Sequence, residues 1–312
     1  MSRQMNKTLS MLLAAVMAVM AIFAAAPAQA DAAAGEIHVY TRDSSSGTRE
    51  AFEDKGGFAG ELTDLAVEVS SNGDMAVKVG QDPQAIGYVS LTTDFAASNL
   101  KPLAYEGVEA TEANTVSGDY ALARPFSYVT RAAGDFDSVE KEQLVAAFVA
   151  YITESEEGLG AVEAAGGIVD YEEARPWEEL REDHPIVDQD NSGLELLTGG
   201  STSVVKTLEA ALQAFQPEGG YFSYKVDNTG SSAGYKRTLG DEKDSATRAD
   251  IGFASREFHP SDEDTSGALL SGVYCLDAVV AVVEAGNPLK NLTAEQLIDI
   301  FTGKITEWTE VN

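Results

Sequence analysis

The sequence has a single cysteine, Cys275, in 312 residues. A disulfide within the chain is therefore impossible, and so are a four-cysteine zinc site and CxxC redox chemistry. Histidine is nearly as scarce. His38, His184 and His259 stand far apart, at no metal-ligand spacing. A zinc hydrolase or a histidine-based triad has little to build on here, so neither a metal nor a cofactor is expected, and catalysis is not the favoured reading. Basic residues are also in short supply: 21 Lys and Arg stand against 51 Asp and Glu, a formal net charge of −30. Gripping a nucleic acid requires clustered cations, and docking on an anionic membrane requires the same sign. The charge argues against both. Apolar residues are not lacking: 44% hydrophobic content is ordinary for a globular chain and too high for a disordered one.

The first thirty residues read as a signal peptide rather than as part of the fold. Arg3 and Lys7 form a basic start, and an apolar stretch runs from about Leu9 to Ala26. Ala28-Gln29-Ala30 then supplies a cleavage signal before Asp31. A membrane anchor is the competing reading, because the run approaches spanning length. No cysteine follows the stretch, so lipidation there is not expected. Removing residues 1–30 would leave 312 − 30 = 282 residues, expected to be exported and soluble, in a periplasm or outside the cell.

Beyond the leader, strand patterns alternate with helical ones, which predicts an α/β class. Strands are expected at 36–40, 65–70, 85–91, 127–130, 194–197, 221–226, 250–254 and 273–283. Leu144, Val145, Phe148, Val149 and Ile152 share one face of a helix over 139–152. Thr293-Ala-Glu-Gln296 is a capping box that opens a helix to Phe301. Asp170 to Asp190 holds nine acids, two Arg and two Pro, and reads as a solvated connector.

Three turns share one layout of strand, Gly with Ser or Thr, then helix start: Ser44 to Thr48, Gly199 to Ser203, and Gly230 to Gly234. A helix N-terminus leaves about four N–H groups unpaired and is the positive end of the helix dipole, so an anion suits it. Glycine admits close approach, and hydroxyls add donors. Simple N-capping is the ordinary alternative for each turn taken singly. Arg42, just before the first turn, could give a bidentate pair to a tetrahedral oxyanion, or form a surface salt bridge. No Walker motif and no GxGxxG is present, so nucleotide binding is not indicated.

Arg42-Asp-Ser-Ser-Ser-Gly-Thr-Arg49 resembles a phosphate loop of the phosphate-binding proteins of ABC transporters. Further matching segments are Ala85 to Leu91, Gly118 to Pro125, Gly200 to Ser203, Asp250 to Glu257 and Leu297 to Trp308. The resemblance spans nearly the whole of residues 31–312. It implies a two-lobed type II periplasmic-binding-protein fold, with mixed β-sheets flanked by helices and the ligand between the lobes. It also implies inorganic phosphate as ligand and the membrane permease of an ABC transporter as partner, for a monomer. The order of segments differs from the family's, in which Gly-Ser-Thr-Ser opens the protein. The chain therefore resembles a circularly permuted member, with the acidic stretch 170–190 joining the family's usual ends. Its smaller lobe is expected at 35–102 and its larger lobe at 103–312, joined by one crossing.

Residue by residue, the resemblance assigns Arg42, Ser44, Ser46, Gly47 and Thr48 to the anion from the smaller lobe. It assigns Thr202, Ser203, Ser231, Ser255 and Arg256 from the larger. Two departures stand out. The family often has Asp two residues after the Arg, where this chain has Ser44, and another Asp after Gly-x-Ser, where it has Arg256. Asp43 and Glu257 are the candidate substitutes as acceptors of a phosphate proton. The alternatives are a receptor for a sulfate-like oxyanion, or a surface protein that keeps the fold without transport.

Overall fold

The structure, a computed structural model, describes residues 35–311. The expected signal peptide, residues 1–30, lies outside the described residues. Among the described residues no helix is long and apolar enough to cross a membrane.

Strand and helix alternate as the periodicity predicts. β1 (His38–Arg42) runs into α1 (Gly47–Gly56), followed by β2 (Val67–Val69), α2 (Asn72–Gln81) and β3 (Ala85–Ser90). Then come β4 (Leu100–Pro102), β5 (Ala104–Tyr105), α3 (Glu112–Val116) and β6 (Ala123–Thr130). The helical stretch is α4 (Val139–Glu154), α5 (Glu156–Ala164) and α6 (Trp177–Leu180). β7 (Glu195–Gly200), α7 (Val205–Glu218), β8 (Ser223–Asn228), α8 (Ser231–Thr238) and β9 (Ile251–Ala254) repeat the strand–turn–helix unit. The chain closes with β10 (Ser271–Glu284), β11 (Asn291–Leu292) and α9 (Ala294–Phe301). The Thr293–Gln296 capping box forms as read.

Nine strands make one mixed sheet in the order β2-β1-β3-β10-β6-β9-β7-β8, with β4 also on β10. The outer trios are parallel: β1 pairs with β2 and β3, and β7 with β8 and β9. The centre is antiparallel, β10 lying between β3 and β6. Helices cover the sheet, and two apolar cores form. One contains Phe52, Tyr88, Leu103, Tyr120, Leu122, Ala278 to Val283, Phe301 and Trp308. The other contains Phe126, Phe148, Trp177, Phe215, Phe253 and Cys275. The expected two-lobed α/β architecture is what these cores describe.

The lobes do not divide at 102/103. Residues up to Leu122 and from Ala278 onward pack on the first core, and residues 126–275 on the second. Two strands, β6 and β10, therefore pass between the cores, not one. β10 is the cause. The strand spans fourteen residues and serves the second core up to Cys275 and the first from Ala278.

The acidic stretch also differs from expectation. α6 and two 3-10 turns, Arg181–Asp183 and Pro185–Asp188, order its middle. Trp177, Leu180, Ile186 and Val187 are buried in the second core. Trp177 lies edge-on to Tyr151 and Phe215, with ring centroids 5.2 and 5.6 Å away. The acids around these four residues carry the outer face, so the segment is half core and half solvated rim.

The two ends of the described chain run side by side. The Ile37 N–H donates to Thr306 O at 2.7 Å, and the Trp308 N–H to Gly35 O at 2.9 Å. Ile37 and Trp308 both belong to the first core. The ends thus meet within one lobe and not at a crossing between lobes.

Candidate functional site

The three glycine/serine turns follow β1, β7 and β8 at their carboxyl ends, and all three reach one place. β9 supplies a fourth segment there through Ser255. Thr48 Oγ1 lies 2.7 Å from Ser203 Oγ and 3.4 Å from Ser255 Oγ. Ser201 Oγ donates to Ser255 Oγ at 2.9 Å, and Ser231 Oγ is 3.3 Å from the same oxygen. The Ser255 N–H donates to Ser231 Oγ at 3.0 Å. Five hydroxyls from both lobes are thereby interlinked, and all are buried.

Two glycines permit the approach. A Cβ on Gly47 would stand 2.2 Å from Ser231 Oγ, and one on Gly230 would stand 2.3 Å from Ser45 Oγ. Either methyl would force the lobes apart. Their contact also includes the Ser232 N–H, which donates to Ser45 O at 3.4 Å. The helices that start at this point, α1, α7 and α8, each turn a positive end toward it. Ser46 is engaged as the α1 cap, accepting from the Arg49 N–H at 3.3 Å.

Arg42 is buried, at 1% exposure. Its Nη2 donates to Asp43 Oδ2 at 3.4 Å and Ser70 O at 3.3 Å, while the buried Nε has no hydrogen-bond partner. Burial lowers its pKa, and Asp43 opposes that. A buried guanidinium N–H left unpaired has not recovered its desolvation cost, which an anion would repay. A cavity of about 550 Å³ opens beside it, lined by Asp43, Ser70 and Ser71 from one lobe and Thr202, Asn228 and Thr229 from the other. Thr202 Oγ1 accepts from the Asn72 N–H at 3.3 Å across this gap.

Not every residue named from the sequence joins the group. Ser44 is exposed, since the turn points it away while Ser45 and Ser46 face inward. Arg256 is buried, but its guanidinium is committed to carboxylates. Nη1 and Nη2 donate to Glu263 at 2.6 and 3.0 Å, and Nε lies 2.6 Å from Glu50 Oε2. Its pKa is raised, burial being outweighed by Glu263 and Glu50. Glu257 is exposed. Asp43 Oδ1 accepts from the Ser45 N–H at 2.9 Å and from the Ser45 hydroxyl. Neither candidate acceptor stands among the five hydroxyls.

Two residues were not singled out from the sequence. Ser201 lies in the Gly200–Ser203 motif, which was its signal. Arg124 lies at the end of the Gly118–Pro125 segment. It donates through Nε and Nη2 to Asp277 Oδ2 at 2.9 and 2.8 Å, and its buried Nη1 has no partner. Asp277 Oδ1 accepts from Ser90 Oγ at 2.9 Å and the Leu91 N–H at 3.1 Å. Burial raises the Asp277 pKa and Arg124 counters it. This ion pair ties β6 to β10 where the chain changes cores.

A donor-lined gap between two α/β lobes, at the carboxyl ends of parallel strands, is where ligands settle in such sheets. The family model for the PBP superfamily domain matches residues 12–157 and 181–312. The chain belongs to the PBP superfamily. Phosphate-binding protein PstS 2 of Streptococcus agalactiae serotype V is 30% identical over 287 residues, covering 89% of this chain and 88% of that protein. Its counterpart in Streptococcus pneumoniae serotype 4 is 29% identical over 293 residues, covering 91% and 90%. Among solved structures, a phosphate-binding protein of a phosphate ABC transporter from Streptococcus pneumoniae TIGR4 superposes with a TM-score of 0.63 at 28% identity. It covers 89% of this chain and all of that one. PBP-superfamily membership agrees with the two-core architecture and with a ligand gap between the cores.

Proposed function

We propose that the chain is an exported receptor that captures inorganic phosphate between its lobes and delivers it to the permease of an ABC transporter. One observation carries the reading. Loops from both lobes bring Thr48, Ser201, Ser203, Ser231 and Ser255 together, and the first of these loops is preceded by a buried Arg42 with an unpaired Nε. Phosphate fits a site of hydroxyl donors, helix N-termini and one guanidinium. Gly47 and Thr202 would add backbone and hydroxyl donors. The streptococcal relatives, which are phosphate-binding proteins, support the same ligand. Binding without turnover suits a cluster whose hydroxyls bond one another. The test is calorimetric titration of residues 31–312 with phosphate, alongside a phosphoester-turnover assay. Saturable binding of one anion per chain with no turnover supports the reading; turnover, or no heat of binding, rejects it.

A sulfate-like anion is the second reading, favoured by the engagement of Asp43 with Ser45 and Arg42. Hydrogen phosphate needs an acceptor for its proton, and sulfate does not. Titrating sulfate into the same chain decides between them.

The leader at 1–30, a monomeric state and the permuted order belong to the same proposal. The permuted order rests on the sequence of the motifs, an order that the streptococcal phosphate-binding proteins share, since each aligns with this chain in one pass over 88% and 90% of its own length. A chain cut within 170–190, with its present ends joined, is expected to fold and to bind the same anion. Failure of that chain to fold would reject the permutation.

A further inference from the structure

The lobes meet at a second place, outside the hydroxyl cluster. Glu50 stands in the first turn of α1, between residues of the first lobe whose neighbours Ala51 and Phe52 are in that core. Arg256 and His259 follow β9, whose Phe253 is in the second core. Arg256 Nε lies 2.6 Å from Glu50 Oε2, and His259 Nε2 meets Glu50 Oε1. One carboxylate therefore faces both partners across the gap, its contact with Arg256 being an ion pair in which the Nε–H is not aligned as a hydrogen bond.

The receiving side is built within its own lobe. Glu263 grips Arg256 through both oxygens and accepts from the His259 N–H at 3.1 Å. The side chains are partly screened from water, at 8% exposure for Arg256, 32% for Glu50 and 44% for His259. A bidentate network of this kind holds better than an isolated surface pair. It also touches the anion loop: a Cβ on Gly47 would lie 3.1 Å from Arg256 Cγ. The contact is thus two residues along α1 from Thr48 and separate from the hydroxyls.

We propose that Glu50 is a latch. It is a positioning residue that holds α1 against Arg256 and His259 and so keeps the lobes shut over the anion, without touching the anion itself. The inference rests on the anion-capture reading above. Apparent affinity scales with the fraction of chains in the closed form. A contact made only on closure acts chiefly on the rate of release, while capture by the open form is little affected.

The experiment compares residues 31–312 with the Glu50→Gln variant. Each carries Val77→Cys on α2 and Tyr221→Cys in the second lobe, two exposed positions, labelled as a distance pair; Cys275 is buried. Interlobe distance is measured without ligand, and release of radiolabelled phosphate is followed after a chase. Glu50→Gln is expected to lengthen the distance and to speed release about tenfold, which converts to about 1.4 kcal/mol. Capture and melting temperature should hardly change. His259→Gln, which removes one of the two contacts, should shift both readouts in the same direction by less, and it stands in if Glu50→Gln does not fold. Unchanged distance and release overturn the latch, as does a lower melting temperature with both readouts unchanged. A lengthened distance in a protein whose parent binds no phosphate would keep the latch and sink the phosphate reading.

Discussion

Arg42 carries the only guanidinium in the first anion loop that is buried with an unpaired N–H, so its truncation is the sharpest test at the residue scale. Arg42→Ala is expected to weaken phosphate binding by about 1.5–3 kcal/mol, the range for hydrogen bonds to charged groups; calorimetry checks it. Gly47→Ala tests a different property. Its added methyl would stand 2.2 Å from Ser231 Oγ. Alanine suits a helix start better than glycine does, so the melting temperature should hold while phosphate affinity collapses. Tyr88 gives a pH prediction. Its hydroxyl lies 2.9 Å from Thr41 Oγ1 and accepts from the Arg42 N–H at 3.0 Å, and burial pushes its pKa up to about 12. A raised folded-state value means stability that is full below the ordinary pKa of 10 and is lost as pH climbs from 10 to 12. The loss is roughly 3 kcal/mol at 1.36 kcal/mol per unit. Melting curves from pH 9 to 12 should show it, and Tyr88→Phe should flatten the slope. At this scale the motifs were legible where chemistry repeats: Thr48, Ser203, Ser231 and Ser255 are all in the cluster. Ser44 and Arg256 lie outside the cluster, because motif position does not reveal which way a turn faces, or which carboxylates fold back onto an arginine.

Elements with a clean period were readable in advance. The helical spacing of α4 and the capping box of α9 needed no tertiary information, although from Leu144 to Ile152 all of α4 except Ala146 is buried, so the helix is covered nearly all round and not on one face. Two elements were not readable, for different reasons. The apolar run of β10 shows that it is a buried strand but not that it serves two cores in succession, because an alternating or continuous pattern carries no label for its partner. In the segment 170–190, nine acids outweighed a Trp177–Leu180 pair at helical spacing and the Ile186-Val187 pair behind it. The correction has a measurable consequence. Trp177→Ala should cost about 3–5 kcal/mol, as for a buried large aromatic, whereas in a solvated connector it would cost almost nothing. Urea unfolding distinguishes the two.

Across the whole molecule, 51 acids against 21 bases leave a surface that repels itself. Self-repulsion disfavours the compact state, and salt screens it over about 10 Å at 0.1 M. The melting temperature of residues 31–312 should therefore rise as sodium chloride is raised from a few millimolar to molar concentrations; a flat response would mean that the acids are locally compensated. Two neighbouring hydrogen-bonded strands, β6 and β10, join the lobes, stapled by Arg124 and Asp277. Such a pair is mechanically a ribbon: it flexes across its flat face and resists shear in its plane. Any parting of the lobes must follow that single bending direction, and any return retraces the same arc. Alignment at the mouth is thus set by the stiffness of the strap behind it, and the hydroxyl that arrives opposite Ser203 on each return is Thr48.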